Sequence, residues 1–197
     1  MSMGSSHKTP ESFRLPSRLA ACLDTPASAA VAALGNPALL DQQPLAIFCS
    51  DLAHALRDAS ATVIGGFHTP VERACLEILL AGAGPLIVCP ARGLFRGVPR
   101  TFRKPLSDGR LLLLSPFAET ERRVTAELAA HRNRFVAALA DRVLFLHATP
   151  GGKTEELARE VIGWGKPAYA LAHEANAYLV TFGAIPTTGE EMPRRGG

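Results

Sequence analysis

The stretch ATVIGGFHTPVE (61–72) decides how the rest of the chain is read. ATVIGG (61–66) is a short apolar run that stops in two glycines. Thr69-Pro70-Val71-Glu72 then meets the rules for a helix start on three counts. Thr69 offers a hydroxyl N-cap, Pro70 takes the first helical position, and Glu72 stands three residues after the cap. The helix is expected to run to about Ala83. Strand, glycine turn and helix thus follow one another directly.

The same unit recurs on both sides. LAIFCS (45–50) precedes the helical DLAHALRDAS, and PLIVCPA (85–91), RLLLLSPF (110–117), RVLFLHA (142–148) and PAYAL (167–171) are further strand candidates. Helices are expected around 123–140, around 154–164 with Gly165 closing it, and around 176–182 ending at Gly183. The strand runs are nearly all apolar rather than alternating, which is the pattern of strands buried on both faces of a parallel sheet. Their alternation with helices predicts an α/β fold, doubly wound, with helices on both faces of a mainly parallel sheet. Residues 15–40 are Ala-rich and broken by Pro16, Pro26 and Pro37, and read as two short helices. The expected organisation is a flexible tail and short helical N-terminal extension over 1–43, one domain over 44–188, and a flexible tail over 189–197.

Composition narrows the class of function. Hydrophobic residues make up 47% of the 197, and charged residues 20%, so a normal core can be buried. A net charge of +3 permits a polyanionic partner without demanding one. Lys8, Lys104, Lys153 and Lys166 are the only lysines among 21 cationic residues. Arginine's planar fork suits phosphate, although GC-rich coding yields the same bias. Cys22, Cys49, Cys75 and Cys89 are scattered, with no paired spacing and no histidine at ligand distance, which argues against zinc and against a disulfide framework. No metal and no cofactor is expected. The N-terminus lacks an apolar signal region and no apolar stretch is long enough to span a bilayer, so the cytoplasm is the expected compartment.

In sheets of this kind, ligands bind beyond the carboxyl ends of the strands. That rule selects Ser50, Gly65-Gly66-Phe67-His68, Pro90-Ala91-Arg92-Gly93 and Pro150-Gly151-Gly152-Lys153-Thr154. Glycines just before a helix leave backbone N–H groups and the positive end of the helix dipole free to meet an anion. Lys153 adds a cation and Thr154 a hydroxyl, although the spacing is not that of a Walker A loop. On local features alone, phosphate binding and a purely conformational turn stand level for Gly151–Thr154. Arg92, Arg96, Arg100, Arg103, Lys104 and Arg110 form a basic stretch interrupted only by Asp108. Phe95 and Phe102 within it are read as docking on the core in a solvated loop, and the arginines as an open electrostatic patch. Arg132 and Arg134, two residues apart, do not share a helix face, and an exposed pair is their plainest reading. His68, one turn before Glu72, is read as a structural or surface histidine.

Taken in order, these motifs resemble the DNA-processing (DprA/Smf) family over roughly residues 30–186. VIGGFHTPVERACLEILL is similar to the family's strand ending in Ser-Gly and the helix after it. RLLLLSPF resembles its "llSE" strand, and HRNRFVAALADRVLFLHA its Arg-Asn-Arg run leading into a strand. Gly152-Lys153-Thr154 stands where the family has Ser-Gly-Ser, GKPAYAL and Asn176…Phe182-Gly183-Ala184 match later elements, and LGNPALL matches the lead-in. The resemblance implies a Rossmann-like domain that binds single-stranded DNA or a nucleotide phosphate, forms a homodimer or larger assembly, and assists a RecA-type recombinase without known catalysis. No catalytic residue is therefore expected. The ligand-binding residues it implies, with the loops above, are Ser50, Gly65, Gly66, Phe67, Arg92, Arg132, Asn133, Arg134, Gly151, Gly152, Lys153 and Thr154.

The chain also departs from the family. Lys153 replaces a glycine, the sequence carries no C-terminal winged-helix segment, and Ser50 runs straight into DLAHALRDAS where the family has a longer Gly-containing loop. Either this chain has lost that loop or a stretch is left out between strand and helix, and the direct junction favours the second, since a strand hardly turns into a packed helix without a connection. Pro150-Gly151-Gly152-Lys153-Thr154-Glu155-Glu156 also resembles a shortened P-G-G-x-G-T-x-x-E signature of LOG-type nucleotide phosphoribohydrolases. Its glutamate position falls on Ala158 or Leu157, so hydrolysis of a nucleoside monophosphate is the alternative rather than the first reading.

Overall fold

The computed structural model describes residues 16–23, 31–48, 61–94 and 97–188. Eight strands form one sheet in the order β1-β5-β4-β3-β2-β6-β7-β8. They are β1 (Ala32–Gly35), β2 (Leu45–Phe48), β3 (Val63–Gly65), β4 (Leu86–Val88), β5 (Leu111–Ser115), β6 (Arg142–Phe145), β7 (Ala168–Leu171) and β8 (Ile185–Thr187). All neighbours run parallel except β1, which pairs antiparallel with β5 through Ala32 opposite Ser115 and Gly35 opposite Leu112.

Among the described residues the helices are α1 (Ser17–Cys22), α2 (Pro70–Ala81), α3 (Arg100–Ser107), α4 (Ala126–Leu139), α5 (Lys153–Gly163) and α6 (Ala177–Thr181). From β2 the chain steps outward through β3, β4 and β5. Helix α4 then carries it back across the sheet to β6 on the other side of β2, and β7 and β8 follow outward. Right-handed crossovers running in opposite directions must lie on opposite faces. Accordingly α2 and α3 pack on the face carrying Leu45, Val63, Leu86, Leu111 and Leu113. The α4, α5 and α6 side covers Ala46, Ile64, Ile87, Leu112, Val143 and Phe145. Each strand therefore needs apolar residues at consecutive positions, which explains the unbroken runs. Phe48 and Phe145 stack across the middle of the sheet with ring centroids 5.6 Å apart.

Three elements differ from the sequence expectation. Within 15–40, α1 is one of the two expected helices, but Ala32–Gly35 is an edge strand and Pro37–Asp41 a 3₁₀ helix. Pairing with the distant β5 overrides the helical leaning of its alanines. Part of the basic stretch read as a loop is helix α3, which buries Phe102 and Pro105 against the sheet. Ile185–Thr187 adds a final strand beyond α6. The expected helical DLAHALRDAS and the junction after Ser50 lie outside the described residues.

The termini of α4 show how side chains complete the packing. Its N-cap Thr125 accepts from the Leu128 amide. At the other end Lys166 Nζ donates to the carbonyls of Ala137 (3.0 Å), Ala138 (2.5 Å) and Ala140 (2.5 Å). Arg18 from α1 donates to Leu139 O at 2.7 Å and Leu40 O at 2.5 Å. Two cations thus satisfy carbonyls that the helix leaves without partners and sit at the negative end of its dipole. Among the described residues, no helix is long and apolar enough to cross a membrane.

Candidate functional site

The sheet reverses its winding between β2 and β6, so the crevice beyond their carboxyl ends is where a doubly wound fold binds ligands. Ser50, expected to line that crevice after β2, lies outside the described residues. The chain leaving β6 is firmly held. Asn176 is buried and donates from Nδ2 to Leu146 O (2.8 Å) and Leu171 O (3.1 Å), tying the ends of β6 and β7 together. Tyr178 donates its hydroxyl to Ala148 O at 2.7 Å.

Beside β2, the turn after β3 is built over a buried cation. Arg132 on α4 is 3% exposed. Its Nη1 donates to Cys89 O at the end of β4 (2.9 Å), and its Nε to Asn133 Oδ1 (2.7 Å). A Cβ on Gly66 would fall 1.4 Å from Arg132 Nη1, so only glycine lets the turn lie on the guanidinium. Phe67, with φ of 50°, folds its buried ring back against Gly65, where a Cβ would meet the ring at 2.9 Å. Glu72 accepts from the amides of His68 (2.7 Å) and Thr69 (3.1 Å), and Thr69 caps α2 in return. Burial lowers the Arg132 pKa, and the Glu72 charge opposes that shift. Burial also pushes the Cys89 thiol up to about 12, despite Arg132 beside it. That thiol is a neutral packing group.

The loop after β6 uses its glycines differently. Gly151 has φ of 71° and donates its amide to Glu155 Oε2 at 2.8 Å. Glu155 Oε1 accepts from Arg159 Nε at 2.8 Å, and Arg159 lies 3.5 Å above the Phe182 ring. The Gly151 amide, then Arg159, hold the Glu155 carboxyl below its ordinary value. The Gly152 amide donates to Thr149 O (2.9 Å), and Glu156 is the first residue of α5 to find a backbone acceptor, Gly152 O at 3.1 Å. The opening amides of α5 stay without intrahelical partners, as at any helix start. Lys153 stands exposed on that turn and Thr154 half-buried.

The candidate residues therefore divide. Gly65 ends β3 and is buried, Gly66, Gly151 and Gly152 lie on turns at the carboxyl edge, Lys153 and Thr154 open α5, and Arg92 is half-buried on the turn after β4, its carbonyl bonded by Ser115 Oγ at 2.7 Å. Arg132 and Phe67 are interior supports beneath those turns. Arg134 points to α5, where it makes a bidentate pair with Glu160 through Nε (2.8 and 2.9 Å) and Nη2. The plain reading of an exposed Arg132–Arg134 pair is thus corrected for Arg132, because α4 turns it under β3 and β4. Arg159 was not singled out from sequence, although its place one helical turn after Glu155 is the signal for that pair.

No family model and no curated protein sequence matches the chain. Solved structures do. DNA processing protein A (DprA) from Streptococcus pneumoniae superposes with a TM-score of 0.72 at 17% identity, over 89% of this chain and 68% of that one. The fold is that of DprA. A second DprA, from Helicobacter pylori and described for its single-stranded DNA binding mode, superposes with a TM-score of 0.68 at 21% identity, over 88% of each chain. The Gly65–Phe67 and Gly151–Thr154 segments follow β3 and β6 at the carboxyl edge of the sheet, Arg132 lies beneath the first of them, and Arg134 is turned to Glu160 of α5.

Proposed function

We propose that this chain is a DprA-like protein that binds single-stranded DNA, without catalysis, across the carboxyl edge of its sheet. The observation that carries the reading is the convergence of two glycine turns on the switch point, one laid over the buried Arg132 and the other opening α5 beside Lys153. Backbone amides, a buried positive charge and an exposed lysine together favour phosphate, whatever the base sequence. Contacts of this kind suit a nucleotide phosphate as well as a DNA strand. Gly65, Gly66, Arg92, Gly151, Gly152, Lys153 and Thr154 form the contact set, with Arg132, Asn133 and Phe67 shaping it and Arg134 fixing α4 to α5. A cytoplasmic setting, assembly into homodimers and a role alongside a RecA-type recombinase in DNA recombination complete the proposal, with residues 44–188 as the binding domain. Hydrolysis of a nucleotide is less favoured, because the Glu155 carboxylate is already engaged by Gly151 and Arg159.

Fluorescence anisotropy with labelled oligo-dT, at low and moderate salt and with AMP as competitor, tests the reading. Micromolar or tighter binding that weakens steeply with salt is expected, since phosphate contacts release counterions. Lys153→Ala is expected to weaken it severalfold. Absence of binding at low salt would sink the proposal, and release of adenine from AMP would replace it with the hydrolytic one.

A further inference from the structure

We infer that Cys22 and Lys166 form a peroxide-sensitive staple, a modification site where oxidation joins the two side chains through a sulfur–nitrogen bond. The site lies at the carboxyl end of α4, about 10 Å along that helix from Arg132 and away from the edge proposed to bind DNA. Side chains from two elements converge on it. Arg18 on α1 donates to Leu139 O at 2.7 Å, and Lys166, just before β7, donates to the carbonyls of Ala137, Ala138 and Ala140. Cys22 stands four residues after Arg18 on the same helix, so both share the face turned to the end of α4. It is half-buried and packs against the core cluster that holds Ala137, Ala138, Leu139 and Ala140. Its thiol is hydrogen-bonded with the Lys166 side chain.

The surroundings supply what such a bond needs. Partial burial lowers the Lys166 pKa, and the charge of Arg18 adds to that shift while Cys22 and Asp141 oppose it. Asp141 Oδ2 lies 3.5 Å from Arg18 Nη2, is buried, and takes no hydrogen bond from a described residue, so it is open to receive a proton. Among the described residues no second thiol competes. Cys75 packs on the opposite face of the sheet, and Cys89 is fully buried beside Arg132 at the other end of α4. A sulfenic acid condenses with a neighbouring thiol or, lacking one, with a nitrogen. Hydrogen peroxide is the oxidant here. The Cys22 sulfur attacks one peroxide oxygen, the O–O bond breaks and a water leaves, so sulfur gives up two electrons and becomes a sulfenic acid. Asp141 takes a proton from the Lys166 ammonium and passes it to solvent. The freed Nζ lone pair then forms the S–N bond as the S–O bond breaks, and hydroxide leaves with an amine proton as a second water. The link closes the chain from residue 22 to residue 166 and restricts the unfolded state as a disulfide does.

The test treats the full chain with a small excess of hydrogen peroxide and digests it without reductant. Mass spectra are expected to show a peptide pair joined at Cys22 and Lys166, lighter than the sum of its parts by two hydrogen atoms. The thermal midpoint of the treated chain is expected to rise by roughly 5–10 °C and to return to its starting value with dithiothreitol. Cys22→Ser is expected to lose both the pair and the rise. Lys166→Arg keeps cationic donors at the end of α4 but offers no free amine, since a guanidinium stays protonated. It is expected to melt like the untreated parent and to leave Cys22 as a sulfenic acid that dimedone labels. A parent chain without the joined pair, its Cys22 labelled by dimedone, oxidised further or unreacted, overturns the inference. A disulfide from Cys22 to another cysteine overturns it too, and so does a joined pair with no rise in midpoint.

Discussion

At the scale of single residues, the carboxyl edge depends on one contact between a glycine and an arginine. Gly66→Ala must push a buried guanidinium off Cys89 O, leaving a charge and a carbonyl poorly paired. A loss of about 3 kcal/mol in urea unfolding is expected. Combined with Arg132→Ala, most of that loss should vanish, because the side chain that clashes is gone. Additive costs in this double-mutant cycle would refute the contact. The Glu155 carboxyl, held low by Gly151 and Arg159, makes a second prediction. A depressed carboxyl stabilises the fold above its unfolded pKa, and the contribution disappears as pH falls through the lower folded value. Glu155→Gln should therefore lower stability across the neutral and alkaline range and flatten its loss on acidification below the reference value of 4.5, so that variant and parent converge at low pH. Urea midpoints across that interval decide it. These roles were partly legible: Gly65-Gly66 before a capped helix announced a tight turn, but only the fold could show that Arg132, sixty-odd positions on, was the reason for it.

At the scale of elements, what the sequence showed depended on how local the cause was. Helix α2 was legible because its start is written in adjacent residues, Thr69, Pro70 and Glu72. Helix α3 was not, because its first turn carries an arginine and its interior a proline, and burial of Phe102 holds it in place. The edge strands β1 and β8 are short and half-exposed, so neither apolar run nor alternation marked them. The same distinction predicts where helix stability resides. The carboxyl end of α4 relies on Lys166 from a different crossover, whose partial burial lowers its pKa while three carbonyls accept its protons. Lys166→Met should cost about 2 kcal/mol in thermal or urea unfolding, a charged donor's share, and the alkyl chain of methionine keeps the packing. A cost below a few tenths would mean that Arg18 alone suffices.

At the scale of the whole molecule, the two ends of the sheet are chemically unlike, and that difference predicts where a ligand protects the backbone. The amino-end turns around Gly82, Ala83 and Asp108 border a cavity of about 400 Å³ that includes Lys104 and Arg110. Size alone would make it a candidate, but Arg110 is spent on Leu80 O and Gly84 O, and the carboxylate of Asp108 stands in its lining beside Lys104. The carboxyl end instead presents the α5 start and Lys153 near the point where winding reverses. Strand order placed that point; the sequence could name the turns but not which of them would be neighbours, because adjacency follows from pairings such as β2 with β6 across nearly a hundred residues. Hydrogen exchange with and without a saturating short oligo-dT measures the consequence. Amides of Gly66, Phe67, Gly152, Lys153 and Thr154 should exchange more slowly when DNA is bound, because opening of these turns then requires its release. Amides of Gly82, Ala83 and Gly109 should be unaffected. Protection at the amino-end turns with none at the carboxyl end would move the binding site to the cavity and reverse the functional polarity of the sheet.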